Sequence, residues 1–330
     1  MSADASMRAL FASLLAVALL ATAPASVAQG GARPVVIVVP FSGGGPTDTV
    51  ARILAPALAR ELGVAVTVDN ASGGGGTVGT ARAAKGAADG SVLLLHHLGH
   101  VTAPSLYAKL GFDPLTDFVG VGRVADVPMT LVARSNLPPK DAKELLGWIR
   151  GQGRKLNVGH AGIGAASHLC ALLLMRALGT PLTEVAYKGT GPAMTDLLSG
   201  QLDLMCDQTT NTLPQVRSGR IKAYAVTTAA RLPVLKDTPT LAEAGLKNFE
   251  VTVWHGLYAP RGTPPDTVAR TAKALQEALR DAGVVQRLGE LGAIPVRADQ
   301  ATPAALQAWS KSESARWTQV LKSAGVRPEQ

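Results

Sequence analysis

The run Val35-Val36-Ile37-Val38-Val39-Pro40-Phe41-Ser42-Gly43-Gly44-Gly45-Pro46-Thr47-Asp48-Thr49-Val50-Ala51-Arg52 constrains the fold more than any other part of this chain. Uninterrupted β-branched residues from Val35 to Val39, with no polar alternation, suit a strand covered on both faces. The glycines that follow let the backbone take positive φ, and Pro46 suits an early helical position because its N–H would be unpaired there anyway. The expected unit is strand, glycine turn and helix, with free N–H groups at the helix start facing whatever lies beyond the strand end. Such a turn holds an anion.

The rest of the chain repeats this rhythm. A helix over Thr47 to Leu62 precedes a strand over Val64 to Asp69, a helix over Thr77 to Lys85 and a strand over Ser91 to His96. A second series begins near Met129, with strands at Thr130 to Ala133, Lys155 to Gly159, Thr183 to Tyr187, Asp203 to Cys206 and Ala223 to Thr227. Helices at Ala142 to Gly151, Ala165 to Leu178, Pro192 to Ser199 and Thr212 to Ser218 separate them, and Trp254 to Ala259 precedes amphipathic helices at Pro265 to Asp281 and Pro303 to Ala324. Alternation of this kind predicts an α/β protein with largely parallel sheets. Both series open alike: the strand ending at Gly159 leads into His160-Ala161-Gly162-Ile163-Gly164-Ala165-Ala166-Ser167-His168 and a helix. Two such turns, one per lobe, would face each other across a cleft beyond the strand ends.

Arg8, the apolar run Ala9 to Leu20 and the small-residue exit Ser26-Val27-Ala28 predict a secretory signal peptide over residues 1–28, and hence a periplasmic protein. About 300 residues remain, enough for two lobes. Cys170 falls in an apolar helix-like run and Cys206 at a strand end; an oxidising compartment would permit pairing, but two buried free thiols are the expectation. The formal charge of +8 comes from scattered Lys and Arg without interleaved aromatics, which argues against nucleic acid and leaves a field that attracts small anions.

Candidate chemistry can be weighed residue by residue. Gly74, Gly76 and Gly79 have dinucleotide-fingerprint spacing, yet Ser91 to Phe112 lacks the acid that would hold a ribose. His96, His97 and His100 have no neighbouring carboxylate or thiol to complete a metal site, and read as a polar loop lining the cleft. Ser42 and Ser167 lack a nucleophile elbow, and His168 lies beside Ser167 in sequence, on a different helix face. Asp48 favours its helix dipole and can pair with Arg52 one turn on. Asp207-Gln208-Thr209-Thr210-Asn211 reads either as a turn capping the next helix or as a third polar wall, with Asp207 open to a ligand ammonium or hydroxyl. No cofactor is expected.

Taken together, Pro40 to Asp48, Val68-Asp69-Asn70, Gly75 to Gly79, Asp89-Gly90, Tyr107, Asp113-Pro114, Asp117-Phe118, Gly162-Ile163-Gly164, His168-Leu169, Tyr187-Lys188-Gly189, Asp196 to Met205, Pro239-Thr240, Glu243-Ala244-Gly245 and Trp254 to Leu257 resemble the substrate-binding proteins of tripartite tricarboxylate transporters, the Bug family. The resemblance implies a two-lobed, type II-like periplasmic binding protein, each lobe a mostly parallel sheet flanked by helices. Lobe 1 would comprise residues 29–131 plus 251–330, and lobe 2 residues 132–250. It also implies a small organic carboxylate held by backbone amides of two turns: Phe41, Ser42, Gly43, Gly44, Gly45 and Thr47 in the first, and Gly162, Gly164, Ala165, Ala166 and Ser167 in the second. Asn70, His97, His160 and Asp207 complete the candidate set. His160 stands where the family usually has a small hydroxyl residue, and Cys206 where an aromatic is common.

The implied function is non-catalytic capture of a carboxylate by a monomer that presents it to membrane permease subunits. A sensor docking on a two-component receptor would use the same cleft; an exported hydrolase would need Ser42 or the histidines as its chemistry.

Overall fold

β1 (Val35–Val39) is covered on both faces, as its composition requires. Ile37 and Val39 face one apolar cluster and Val38 another, the alternation of a strand buried between two layers. The computed structural model describes residues 33–326 and 328, so the expected signal peptide lies outside the described residues. After the first turn comes α1 (Pro46–Leu62), with Pro46 at its first position and Gly63 ending it in the left-handed region, where its N–H reaches Ala59 O. Val50, Ile53, Leu54, Ala57 and Leu58 recur at helical spacing and face the layer containing Leu93, Leu95 and Leu275.

β2 (Val66–Asn70), α2 (Thr77–Ala84), β3 (Val92–His97) and the single turn α3 (Gly99–Thr102) complete the first series. β1 pairs in parallel with β2 on one side and β3 on the other. β4 (Phe118–Arg134) then runs 17 residues through both halves of the molecule. Only its end, Thr130 to Ala133, is expected from the sequence pattern, because Gly120, Gly122, Arg123 and Asp126 interrupt the apolar run before it.

The second series is α4 (Ala142–Gln152), β5 (Asn157–His160), α5 (Ala166–Leu178), β6 (Thr183–Ala186), α6 (Thr190–Ser199), β7 (Leu204–Gln208), α7 (Thr209–Arg217) and β8 (Ile221–Val226). The chain returns through β9 (Thr252–Pro260), α8 (Pro265–Arg280), α9 (Ala282–Glu290), β10 (Ile294–Pro295) and α10 (Pro303–Ser323).

β4 changes partners midway. Phe118 to Pro128 pair antiparallel with β9, which in turn pairs antiparallel with β3. Met129 to Arg134 lie between β7 and β8, again antiparallel, while β5 runs parallel to β6 and β7. β1, β2 and β3 in one half-sheet and β5, β6 and β7 in the other keep the expected parallel pairing, but every pairing through β4 or β9 is antiparallel, so the half-sheets are mixed rather than mostly parallel. The buried Thr227 pins this crossing: its N–H donates to Met129 O, and its hydroxyl donates to Val251 O at 2.5 Å. The result is the two-lobed α/β architecture of a periplasmic binding protein, with helices flanking each half-sheet.

One expectation is overturned. Cys170 and Cys206 form a disulfide, with Cα atoms 6.0 Å apart, and neither is a free thiol. Cys170 lies in the second turn of α5, which packs across the end of β7, so chain positions 36 apart meet there. Nothing local in the sequence signals that crossing.

Candidate functional site

Four helices begin around one small cavity. Its lining comprises Phe41, Gly45, Pro46 and Thr47 of the first turn and α1, His97 of β3, Ala161 and Ala165 to Ser167 of the second turn and α5, Thr190 of α6, and Asp207 and Gln208 at the end of β7. The enclosed space accommodates about one water molecule. The residues before these four helices, Gly45, Ala165, Gly189 and Gln208, place no side chain on the helix N–H groups. By contrast α4, α9 and α10 are capped by Asp141, Asp281 and Thr302. Each uncapped start carries a partial positive charge of roughly half an electron. No Lys or Arg lines the cavity.

The first turn is braced from outside. Asp48 accepts from Gly44 N–H at 2.9 Å, from Arg52 Nε and from Asn70 Nδ2, and Asn70 Nδ2 also reaches Phe41 O at 3.0 Å. Burial pushes the Asp48 carboxyl up, but the Arg52, Gly44 and Asn70 donors outweigh it and hold it below its ordinary value. Asp48 thus supports the turn, and Asn70 supports it from β2. Gly43 and Gly44 are exposed.

Histidines act here as neutral acceptors, two of them on the second turn. Nδ1 of His97 accepts Gly99 N–H at 2.9 Å, Nδ1 of His160 accepts Gly162 N–H at 3.1 Å, and Nδ1 of His168 accepts Gly164 N–H at 3.2 Å. An accepting Nδ1 requires the proton on Nε2. Burial lowers His97 to about 3 and His160 and His168 to about 4, so all three are neutral at pH 7. His160 therefore sits behind the second turn, with Nε2 3.9 Å from Glu184, and clamps the turn through Nδ1. His97 stacks on Phe41 with ring centroids 4.8 Å apart. His96 and His100 continue that aromatic cluster, and His255 Nε2 contacts Thr47 Oγ1 at 3.3 Å. Ser167 Oγ accepts from Ala161 N–H, and Ser42 Oγ makes no hydrogen bond within the chain, so neither serine is paired with a histidine.

Of the residues expected at the site, Phe41, Gly45, Thr47, His97, Ala165, Ala166, Ser167 and Asp207 come together in the lining. Ser42, Gly162 and Gly164 lie where the first and second series touch. Ser42 N–H donates to Lys188 O at 3.0 Å, and Tyr107 Oη lies 2.8 Å from Ile163 O and 2.9 Å from Gly74 O. A Cβ on Gly189 would stand 2.9 Å from Ser42 N, and one on Gly191 2.7 Å from Gly43 O. The first turn is thus met by a third glycine turn, Lys188 to Gly191. Its Gly189-Thr190-Gly191-Pro192 spelling repeats the glycine-then-proline signal of Gly43 to Pro46, and could have been recognised from it. Pro46 of the first turn and Gln208 of the expected third wall also enter the lining, and Ala161 and Thr190 join it unpredicted.

Asp207 is 1% exposed and takes a 2.6 Å hydrogen bond from Asn211 Nδ2. Burial pushes its carboxyl up to about 6, against donation from Asn211, Thr190 and the Gln208 N–H. Gln208 Oε1, in the lining, is buried without a partner in the chain. Buried polar atoms of this kind are rare in finished cores and common where a ligand completes the bonding.

Comparison with known proteins agrees with this geometry. Residues 50–326 match the family described as tripartite tricarboxylate transporter family receptor. A protein encoded in the TAR-I ttuE–ttuC' intergenic region of Agrobacterium vitis is 47% identical over 94% of this chain and 91% of its own length. The periplasmic binding protein BugD superposes with a TM-score of 0.89 at 49% identity, covering 90% of this chain and 99% of that one. MatC of Rhodopseudomonas palustris, solved with bound malate, gives 0.85 at 43% identity, with 88% and 99% covered. The chain belongs to the tripartite tricarboxylate transporter receptor family.

Proposed function

We infer that this protein captures a small organic carboxylate in the periplasm and presents it, as a monomer and without chemical conversion, to the membrane subunits of a tripartite tricarboxylate-type transporter. One observation carries the reading: four uncapped helix starts converge on a cavity that contains no basic side chain. Backbone N–H groups and helix dipoles recognise a carboxylate without the desolvation cost of a buried Lys or Arg. The malate-bound relative supports the ligand class.

The lobes are residues 29–131 with 251–330, and residues 132–250. They hinge where β4 changes partners at Pro128–Met129 and where Thr227 meets Val251. Ligand bridges both lobes only when they are closed, so binding shifts the population toward closure. Residues 1–28 direct export and are cleaved, which N-terminal sequencing of the secreted protein checks.

A thermal-shift panel of di- and tricarboxylates, amino acids, aromatic acids and nicotinate at millimolar concentration tests the function. Stabilisation by at least one carboxylate is expected, and a flat response across the panel would count against it.

A further inference from the structure

Asp207 is a carboxylate whose surroundings offer it no counter-charge. It ends β7, is almost fully buried, and lines the cavity beside Gln208. Asn211, one turn along α7, donates to Oδ2 and, with the Thr190 hydroxyl and the Gln208 N–H, favours the ionised form, while Thr130 of β4 bonds the Asp207 carbonyl rather than its carboxylate. The imidazoles on the elements packed around the cavity are His97 of β3, in the lining, His96 beside it, His255 of β9, bonded to Thr47, and His160 and His168 behind the second turn; burial holds all five neutral. Asp48 of α1 turns away into Arg52, Asn70 and the Gly44 N–H. Among the described residues, Asp207 is therefore the one ionisable carboxyl in a lining otherwise made of N–H dipoles, neutral side chains and apolar surface.

A ligand carboxylate seated on the α1 and α5 starts is compensated by those dipoles. A second carboxylate on the same small ligand reaches toward the β7 wall and meets Asp207. Two carboxylates in one low-dielectric space share a proton rather than both ionise. We propose that Asp207 takes up a proton when a dicarboxylate binds, so that the site captures each such ligand together with one proton. The proton comes from solvent onto an Asp207 oxygen, and the O–H donates to an oxygen of the ligand's second carboxylate; no covalent bond to the ligand forms or breaks. Burial has already raised the proton affinity of this carboxyl, so little further change is needed near neutral pH. The inference rests on the carboxylate reading above and adds what accompanies the ligand.

Isothermal titration calorimetry with succinate, run at pH 7.5 in phosphate and in Tris, counts the protons exchanged. Uptake of about one proton per succinate is expected, with Kd weakening roughly fifty-fold between pH 6 and pH 8 as the protonated fraction of a group titrating near 6 falls. In Asp207→Asn the uptake disappears and Kd becomes flat over that range, with affinity at pH 8 no weaker than that of the unmodified protein. The proton count on the unmodified protein decides the matter even if this variant does not fold. Succinate binding with no proton uptake overturns the inference and leaves the carboxylate reading standing. So does rejection of succinate in favour of L-aspartate with affinity rising with pH, since an ammonium would then pair with ionised Asp207. Absence of binding by every carboxylate overturns both.

Discussion

Replacing Gly191 with alanine separates lobe closure from folding. Gly191 is the second residue of α6 and its φ is not positive, so alanine fits the local backbone and improves helix propensity by up to about 1 kcal/mol. The added Cβ would stand 2.7 Å from Gly43 O and 3.2 Å from Gly44 C, against 3.4 Å or more in ordinary contact. Both neighbours are backbone of the opposite lobe and cannot rotate aside. Closure must therefore stop about 0.7 Å short, the difference between 3.4 and 2.7 Å, or strain the first turn. Overpacking of this size costs about 1–3 kcal/mol, and only the closed state pays it. Ligand affinity should fall roughly 5- to 150-fold while the unliganded melting temperature holds or rises slightly. Calorimetric titration beside a thermal melt measures both. An unchanged Kd would refute the closed-lobe contact, and a large loss of unliganded stability would refute the claim that Gly191 matters only in closure.

Three further outcomes follow from the packing. The double variant Cys170→Ala/Cys206→Ala should lose about 4 kcal/mol, the chain-entropy value for a 36-residue loop, seen as a lower urea midpoint; an unchanged midpoint would show that the bridge contributes nothing. Thr227→Val removes the hydroxyl that bonds Val251 O and Met129 O at the crossing, and should cost about 1–3 kcal/mol by urea unfolding; a cost near zero would remove Thr227 from the hinge. Acidification should destabilise the fold, because burial depresses His97 and His100 to about 3 and His160 and His168 to about 4, so the unfolded chain binds more protons below about pH 6.5. Each of the four loses about 2 kcal/mol between pH 7 and pH 5, and Asp207, raised to about 6 and so favouring the protonated native state, returns about 1 kcal/mol. His96 and His255, which burial also holds well below their ordinary value, add to this loss, so the urea midpoint should fall by at least about 2 M, and equal midpoints at pH 7 and pH 5 would contradict the histidine clamps.

What the sequence by itself determined is what short-range physics controls. The β-branched run of β1, the glycine turn with Pro46, the Asp48–Arg52 brace and the helical spacing of α1 each depend on residues within one or two turns of one another. The second turn before α5 was legible for the same reason, and so was the α/β alternation. The first half of β4 was not: Gly120, Gly122, Arg123 and Asp126 break its apolar pattern, and β9 supplies the pairing that makes it a strand. Only the tertiary structure decided which helix starts share a cavity. Strand order brings the end of β7 beside β5 and sets α6 and α7 against the first turn, well over a hundred residues away in sequence. The same convergence pairs Cys170 with Cys206, sets Gly189 and Gly191 against Ser42 and Gly43, and buries Asp207 without a cation. Those features arise from contacts between distant segments, whose geometry no local propensity encodes.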